Sequence, residues 1–161
     1  MPVDPLDLRL AMRNWATGVT IVSVMHQGVQ HGMTVSSFTS VSLTPPAVLV
    51  SLERISRTHD MLMQSGNFGV TILSSQQQKI SDRFAGRHTE HEDRFANLTT
   101  FTLVSGVPFI AGGLAFLDCR VIVSHTSGNN TLFIGEVIAA QPEEPGEPLL
   151  YFDRRYRRLQ D

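Results

Sequence analysis

Apolar positions along this chain recur mostly at strand spacing, with three short stretches at helical spacing. Asp4 to Trp15 reads as a helix: Asp4 caps it, Pro5 sits in the first turn, and Leu6, Leu10, Met12 and Trp15 give a rough apolar face. Val19 to Met25 is β-branched, Gly28 marks a turn, and Gln30 to Val41 returns as the second strand of a hairpin. Thr58 to Ser65 predicts a short helix with Leu62 and Met63 inward and Gly66 as its stop. Asn67 to Leu73 reads as a strand, and Gln76 to Ala85 as an amphipathic helix with Ile80 and Phe84 four residues apart. Gly86 to Ala96 is polar and reads as a mobile loop. Phe101 to Val104, Ala111 to His125, Asn130 to Ala140 and Leu149 to Phe152 complete the strands, with turns at Gly128-Asn129 and an acidic linker from Pro142 to Pro148. Hairpins outnumber helices and no βαβ alternation occurs. The expectation is a mostly β chain: an antiparallel Greek-key barrel with a few flanking helices, in one domain over 1–161.

Within this pattern, Gly32 to Arg57 carries the most chemistry. In its first half Met33, Val35, Val41 and Leu43 share one parity, while Thr34, Ser36, Ser40 and Ser42 share the other. A strand with that alternation puts one face on a core and offers a face of hydroxyls to a ligand. Pro45-Pro46 interrupts the chain. Ala47 to Leu52 then reads as a strand buried on both faces, ending in the polar Glu53-Arg54-Ile55-Ser56-Arg57-Thr58. Neutral donors beside such a strand suit a flat polar ring. The start of a helix near Thr58, with Ser56, Thr58 and Arg54 or Arg57, suits a phosphate. The plainer alternatives are a half-exposed edge strand and an ordinary helix cap.

Composition narrows the field. The chain has 161 residues, 42% hydrophobic and 17% charged, with a formal net charge of −2. That describes a globular protein, with no charge balance that calls for nucleic acid or a membrane surface. No run of about 20 apolar residues predicts a membrane span, and the N-terminus has no secretory pattern. The cytoplasm is the expected compartment. Cys119 is the single cysteine, which excludes an intrachain disulfide, and it reads as a small core residue. No GxxxxGK[ST] or GxGxxG occurs, which disfavours a nucleoside-triphosphate site or a Rossmann domain. His88, His91 and their acidic neighbours could ligate a metal but read as a solvated loop, so no metal site is assigned. A Ser-His-Asp hydrolase lacks a GxSxG elbow. At the C-terminus Arg154, Arg155, Arg157 and Arg158 flank Tyr156. Either this is a solvated basic tail, or it folds over the site with Tyr156 stacking and an arginine meeting a dinucleotide phosphate.

Taken together, these segments resemble the short-chain flavin reductase family, the reductase components of two-component flavin-dependent monooxygenases with an FMN-binding split-barrel fold. The resemblance runs through RNWATGVTIVS (13–23), the whole of 32–73 with GMTVSSFTSVSLTPP at its head, SDRFAG (81–86), DRFA (93–96), GGLAFLDCRV (112–121), NTLFIGEVIAA (130–140) and PLLYFDRRYRRL (148–159). It implies a homodimeric NAD(P)H:flavin oxidoreductase that binds FMN or FAD, takes hydride from NADH or NADPH, and supplies reduced flavin to a separate oxygenase. By the same resemblance Thr34, Val35, Ser36 and Ser37 lie along the isoalloxazine ring. Ser51, Ser56, Arg57 and Thr58 line the ribityl-phosphate path, and Arg83, Phe84 and Ala85 close one side. Nicotinamide stacks near the strand containing Gly135-Glu136-Val137 and near the tail, bringing in Asn130 and Tyr156. Two departures stand out: Asn130 replaces a histidine common in the family, and Arg154-Arg155 replace glycine near the tail's RY.

Hydride transfer between stacked rings needs position rather than a strong acid or base, and no catalytic acid, base or nucleophile is assigned. Two other readings remain: a flavin-binding electron carrier or redox sensor without turnover, and a pyridoxine-phosphate-type oxidase on a related barrel. The GMTVSSF segment disfavours the second.

Overall fold

A strand covered on both sides organises the molecule. Thr20, Ile21, Val22, Ser23 and Val24 are all buried, which a continuous β-branched run tolerates and an alternating one does not. In the computed structural model, which describes residues 1–86 and 92–160, this strand, β2 (Thr20–His26), follows the helix α1 (Pro5–Met12) and the short β1 (Thr17–Gly18). β3 (Val29–Val35) pairs with it antiparallel through a turn at Gln27-Gly28. Next come β4 (Thr39–Leu43), β5 (Pro46–Glu53), α2 (Arg57–Ser65), β6 (Asn67–Ile72), a 3-10 turn at Ser75–Gln77 and α3 (Gln78–Phe84). Short strands β7 (Thr100–Phe101) and β8 (Phe109–Ile110) precede the long hairpin of β9 (Ala115–Ser127) and β10 (Asn130–Pro142), and β11 (Leu150–Phe152) and β12 (Arg155–Arg157) close the chain.

Seven strands form one antiparallel sheet in the order β3-β2-β6-β9-β10-β5-β4. The sheet curls until β3 approaches β5. Just before β4, Ser37 Oγ donates to Ser51 O at 2.8 Å and accepts from Ser51 N at 3.1 Å, a side chain that continues the β4–β5 pairing beyond Thr39 and Leu49. Val22, Val24, Val50, Leu52, Phe68 and Phe133 fill the interior, and Met61 and Leu62 of α2 pack into it. On the opposite face of β2, Val19 and Ile21 meet Leu73, Phe84 and Phe95, which brings α3 onto the barrel wall. A third cluster, Val107, Phe109 and Phe116, covers a corner. The mostly β antiparallel architecture agrees with the hydrophobic pattern.

Four local expectations are corrected. Gln30 to Val41 is not one strand: it breaks at Ser36–Phe38, and its halves sit at opposite ends of the sheet order. Val41 and Leu43, expected in the core, are 48% and 86% exposed, because β4 lies outside the closed barrel with one neighbouring strand. Met63 is exposed while Met61 is buried; the inward face of α2 is Thr58, His59, Met61 and Leu62 at i, i+3 and i+4 spacing, and Met63 lies past its edge. The stretch 111–125 holds a bend before β9, which begins at Ala115. The His88 and His91 reading falls outside the described residues.

Candidate functional site

The break between β3 and β4 makes the site. β3 ends at Val35, whose carbonyl is held by Thr20 Oγ1 at 2.8 Å, and Val35 itself is buried in the barrel. Its neighbours face the other way. Thr34 Oγ1 donates to Ser81 O at 2.6 Å and ties β3 to α3; Ser36 is exposed just beyond. Thr34 and Ser36 line a cavity of about 420 Å³, with Ser81, Asp82 and Ala85 of α3 and its end, and Tyr151, Arg154 and Tyr156 of the C-terminal hairpin. That volume is of the size that takes a cofactor-sized ring system.

The hairpin is fixed there. Ser81 Oγ donates to Tyr156 Oη at 2.8 Å, and Tyr156 Oη donates to Asp82 Oδ1 at 3.1 Å. Tyr151 packs edge-on to Tyr156 at 5.5 Å between ring centroids. The tail is therefore a wall of the cavity rather than a solvated end.

A second cavity, of about 140 Å³, shares Thr34 and Ala85 with the first. It is lined also by His31, Ser56, Arg57, Thr58, Phe84 and Arg94. Here α2 begins. Ser56 Oγ caps it by accepting from His59 N at 3.2 Å and donates to Glu53 O at 2.8 Å, so this hydroxyl shapes the helix start. The opening turn presents backbone N–H groups and the positive end of the dipole, and Arg57 and Arg94 add cations to the walls. Thr58 is buried, with Oγ1 2.9 Å from His31 Nδ1. Arg94 is also buried, donating to Gly32 O at 2.9 Å and Phe84 O at 3.2 Å, which pins the segment after the undescribed residues against β3 and α3.

The geometry thus sets a hydroxyl-lined trough beside a helix start whose N–H groups could receive an anion, with Thr34 and Ala85 lining both cavities. Of the residues expected at the site, Thr34, Ser36, Ser56, Arg57, Thr58, Phe84, Ala85 and Tyr156 line one or both cavities. The others lie elsewhere. Val35 belongs to the core. Ser37 and Ser51 bond each other at the end of the β4–β5 pairing, and Asn130 Nδ2 donates to Ser51 Oγ at 2.9 Å while lining a separate cavity with Arg54, His59 and Asp60. Arg83 donates to Ala96 O at 2.9 Å and lines a neighbouring hollow with Asp93 and Asn97. His31, Arg94, Ser81, Asp82 and Tyr151 escaped the sequence reading, while Arg154 comes from the arginine-rich tail that one reading folded over the site. Arg94 sat in a stretch read as loop; the apolar Phe95 beside it, buried at 3%, was the signal for packing. Among the described residues no three His, Cys, Asp or Glu side chains gather as a metal site.

A half-closed antiparallel barrel with a ring-sized trough leading to a helix N-terminus defines a nucleotide-cofactor protein of the split-barrel kind. The chain belongs to the flavin reductase like domain family, whose model matches residues 12–160. It is 38% identical to an NADH-dependent flavin reductase of Rhodococcus sp over 98% of this chain and 88% of that one. It is 36% identical to the reductase component of a 4-nitrophenol 4-monooxygenase/4-nitrocatechol 2-monooxygenase from Rhodococcus opacus, over 96% and 81% of the two chains. Its fold superposes with a TM-score of 0.90 on the NADH:FAD oxidoreductase of Streptomyces globisporus in complex with NAD and FAD fragments, at 36% identity over 99% of this chain and 97% of that one.

Proposed function

We infer that this chain is an NAD(P)H-dependent flavin reductase that delivers reduced FMN or FAD to a partner oxygenase. One observation carries the reading: the cavity at Thr34 and Ser36 and the cavity at the α2 start are adjacent, with Thr34 and Ala85 lining both, which suits the ring and the phosphate of one flavin. The flavin, when bound, supplies the electron chemistry, accepting hydride from the reduced nicotinamide. The protein's part is placement. Ser36 offers a neutral hydroxyl where negative charge grows on reduction, Thr34 holds β3 to α3 beside it, and the opening turn of α2 with Arg57 takes the phosphate. Tyr156, locked by Ser81 and Asp82, walls off solvent from one side. No general acid or base is required, and a ring-to-ring approach of about 3–3.5 Å is the condition the walls must meet.

The working form is a homodimer in the cytoplasm. Leu6, Leu8, Leu10 and Met12 of α1 are each about half exposed or more, and no residue of that helix is buried. Val41, Leu43, Ile122 and Val123 are likewise exposed on the sheet. Apolar surface on this amount of the chain is what a second copy would cover. No described helix is long and apolar enough to cross a membrane. Steady-state oxidation of NADH or NADPH with excess free FMN or FAD tests the reading, alongside light scattering for the dimer. Turnover is expected with at least one donor and one flavin. A binding module without turnover would give tight flavin binding and no oxidation, and that result would replace the reductase reading.

A further inference from the structure

Two buried side chains in the opening turn of α2 tie it to two different strands. Thr58 and His59 are neighbours in sequence, and adjacent residues on a helix point about 100° apart. They therefore face different walls. Thr58 Oγ1 lies 2.9 Å from Nδ1 of His31 on β3, and His59 Nε2 lies 2.8 Å from Oγ1 of Thr131 on β10. Each pair joins an imidazole to a hydroxyl, and the two types change places between helix and strand. All four side chains are buried, His31 at 4% and Thr131 at 3% exposure. β3 and β10 do not pair with each other: β2, β6 and β9 stand between them in the sheet. The first turn of α2 is thus held from two directions.

The rest of the helix does not supply that hold. Ser56 caps α2 and sets where it begins, not where it sits above the strands. Met61 and Leu62 pack into the interior further along the helix, and apolar packing has no preferred direction. A hydrogen bond has a direction, and losing one partner leaves the other buried and unmet. Placement matters here because the dipole and the N–H groups of a helix act on an anion only within the first turn. Thr131 lines neither of the two cavities, so any effect it has on a ligand there passes through His59 and the helix.

We propose that His31 and Thr131 are positioning residues for the flavin phosphate, acting through Thr58 and His59 on the opening turn of α2. The proposal rests on the flavin reductase reading above. It concerns the phosphate alone, since Ser36, where the ring is placed, belongs to neither pair.

The test titrates the full chain with FMN and with riboflavin, which has the same ring and no phosphate. Thr131→Val keeps the size of the side chain and removes its hydroxyl; Thr131→Ser keeps the hydroxyl. Thr131→Val should raise the Kd of FMN about 10-fold and leave that of riboflavin within about twofold. Thr131→Ser should recover most of the FMN affinity. His31→Leu should behave as Thr131→Val does, and His31→Asn, whose amide can meet Thr58, should stay within about threefold of the parent for FMN. The kcat at saturating FMN should change by less than about twofold in each variant, because the loss is one of binding. Should His31→Leu not fold, the isosteric Thr131→Val and its serine control decide the matter alone. Unchanged FMN affinity in Thr131→Val would overturn the proposal, as would equal weakening of FMN and riboflavin, which is what a merely structural role gives. Parent protein that neither binds FMN nor oxidises NADH or NADPH removes the flavin reductase reading and this proposal together. Parent turnover beside a Thr131→Val that binds FMN normally removes this proposal alone.

Discussion

Hydroxyl side chains at this site fall into two kinds, and the hydrogen bonds separate them. Ser56, Ser37 and Thr34 are already committed to backbone partners: Ser56 caps α2, Ser37 bonds Ser51 on β5, and Thr34 ties β3 to Ser81. Ser36 is exposed at the trough and carries no such duty. Ser36→Ala should therefore weaken flavin binding about 3- to 10-fold, the worth of one neutral hydrogen bond, while the melting temperature of the flavin-free protein stays constant. An equal loss of thermal stability would show that Ser36 is structural. Sequence parity marked the hydroxyl face correctly at Thr34 and Ser36. It could not separate ligand-facing hydroxyls from committed ones, since that depends on partners 14 residues away at Ser51 and 47 away at Ser81. Cys119, read as a core residue, is fully buried. Burial, with the Asp118 carboxylate adjacent, pushes its thiol up to about 12. Iodoacetamide at pH 8 should leave the native protein unlabelled and label it in urea. The folded state holds this proton more tightly than the unfolded chain, so the thiol's contribution to stability is complete below its ordinary pKa. It is lost progressively as pH rises from there toward 12.

Strands and helices show where periodicity is enough and where it fails. The hairpin β9–β10, the buried β5 and the helix α2 follow from runs of apolar residues and from Gly66, which ends α2 at a φ of 72°. The β3–β4 break does not. The alternation of Met33 and Val35 resumes in the same parity at Val41 and Leu43, and although Ser37, Phe38 and Thr39 interrupt it, only barrel closure decides that the chain must cross from one end of the sheet to the other. Of the C-terminal hairpin, the strand at Leu149 to Phe152 was legible, but its partner β12 was not, because arginines flank Tyr156 and that strand forms by pairing with β11. Gly135 gives a test of element packing. It sits at a register shift of β10, and a methyl group there would lie 2.6 Å from the Phe68 ring and 3.0 Å from Cys119 Cβ. Gly135→Ala should cost about 1–3 kcal/mol of stability in urea titration. A neutral result would mean that Phe68 can move and that the interior is looser than its packing implies.

At the level of the whole protein, the barrel holds two surfaces in fixed relation. One is the trough that continues to α2. The other is the exposed apolar face of α1 and β4, which no periodicity argument could call unpartnered before the barrel closed. α1 shows this best: its apolar face was evident in the sequence, yet among the described residues nothing buries it. Flavin reduction by this molecule requires that the cavity position two rings and then release one. Modest affinity is enough, since a micromolar complex corresponds to about 8 kcal/mol. The most direct measurement is anaerobic. Protein loaded with one equivalent of FMN or FAD is mixed with NADH, and separately with NADPH, and the visible flavin absorbance is followed through a single turnover. The account predicts rapid bleaching with at least one donor, faster than free flavin with the same donor. Bound flavin that keeps its colour with both donors would contradict it.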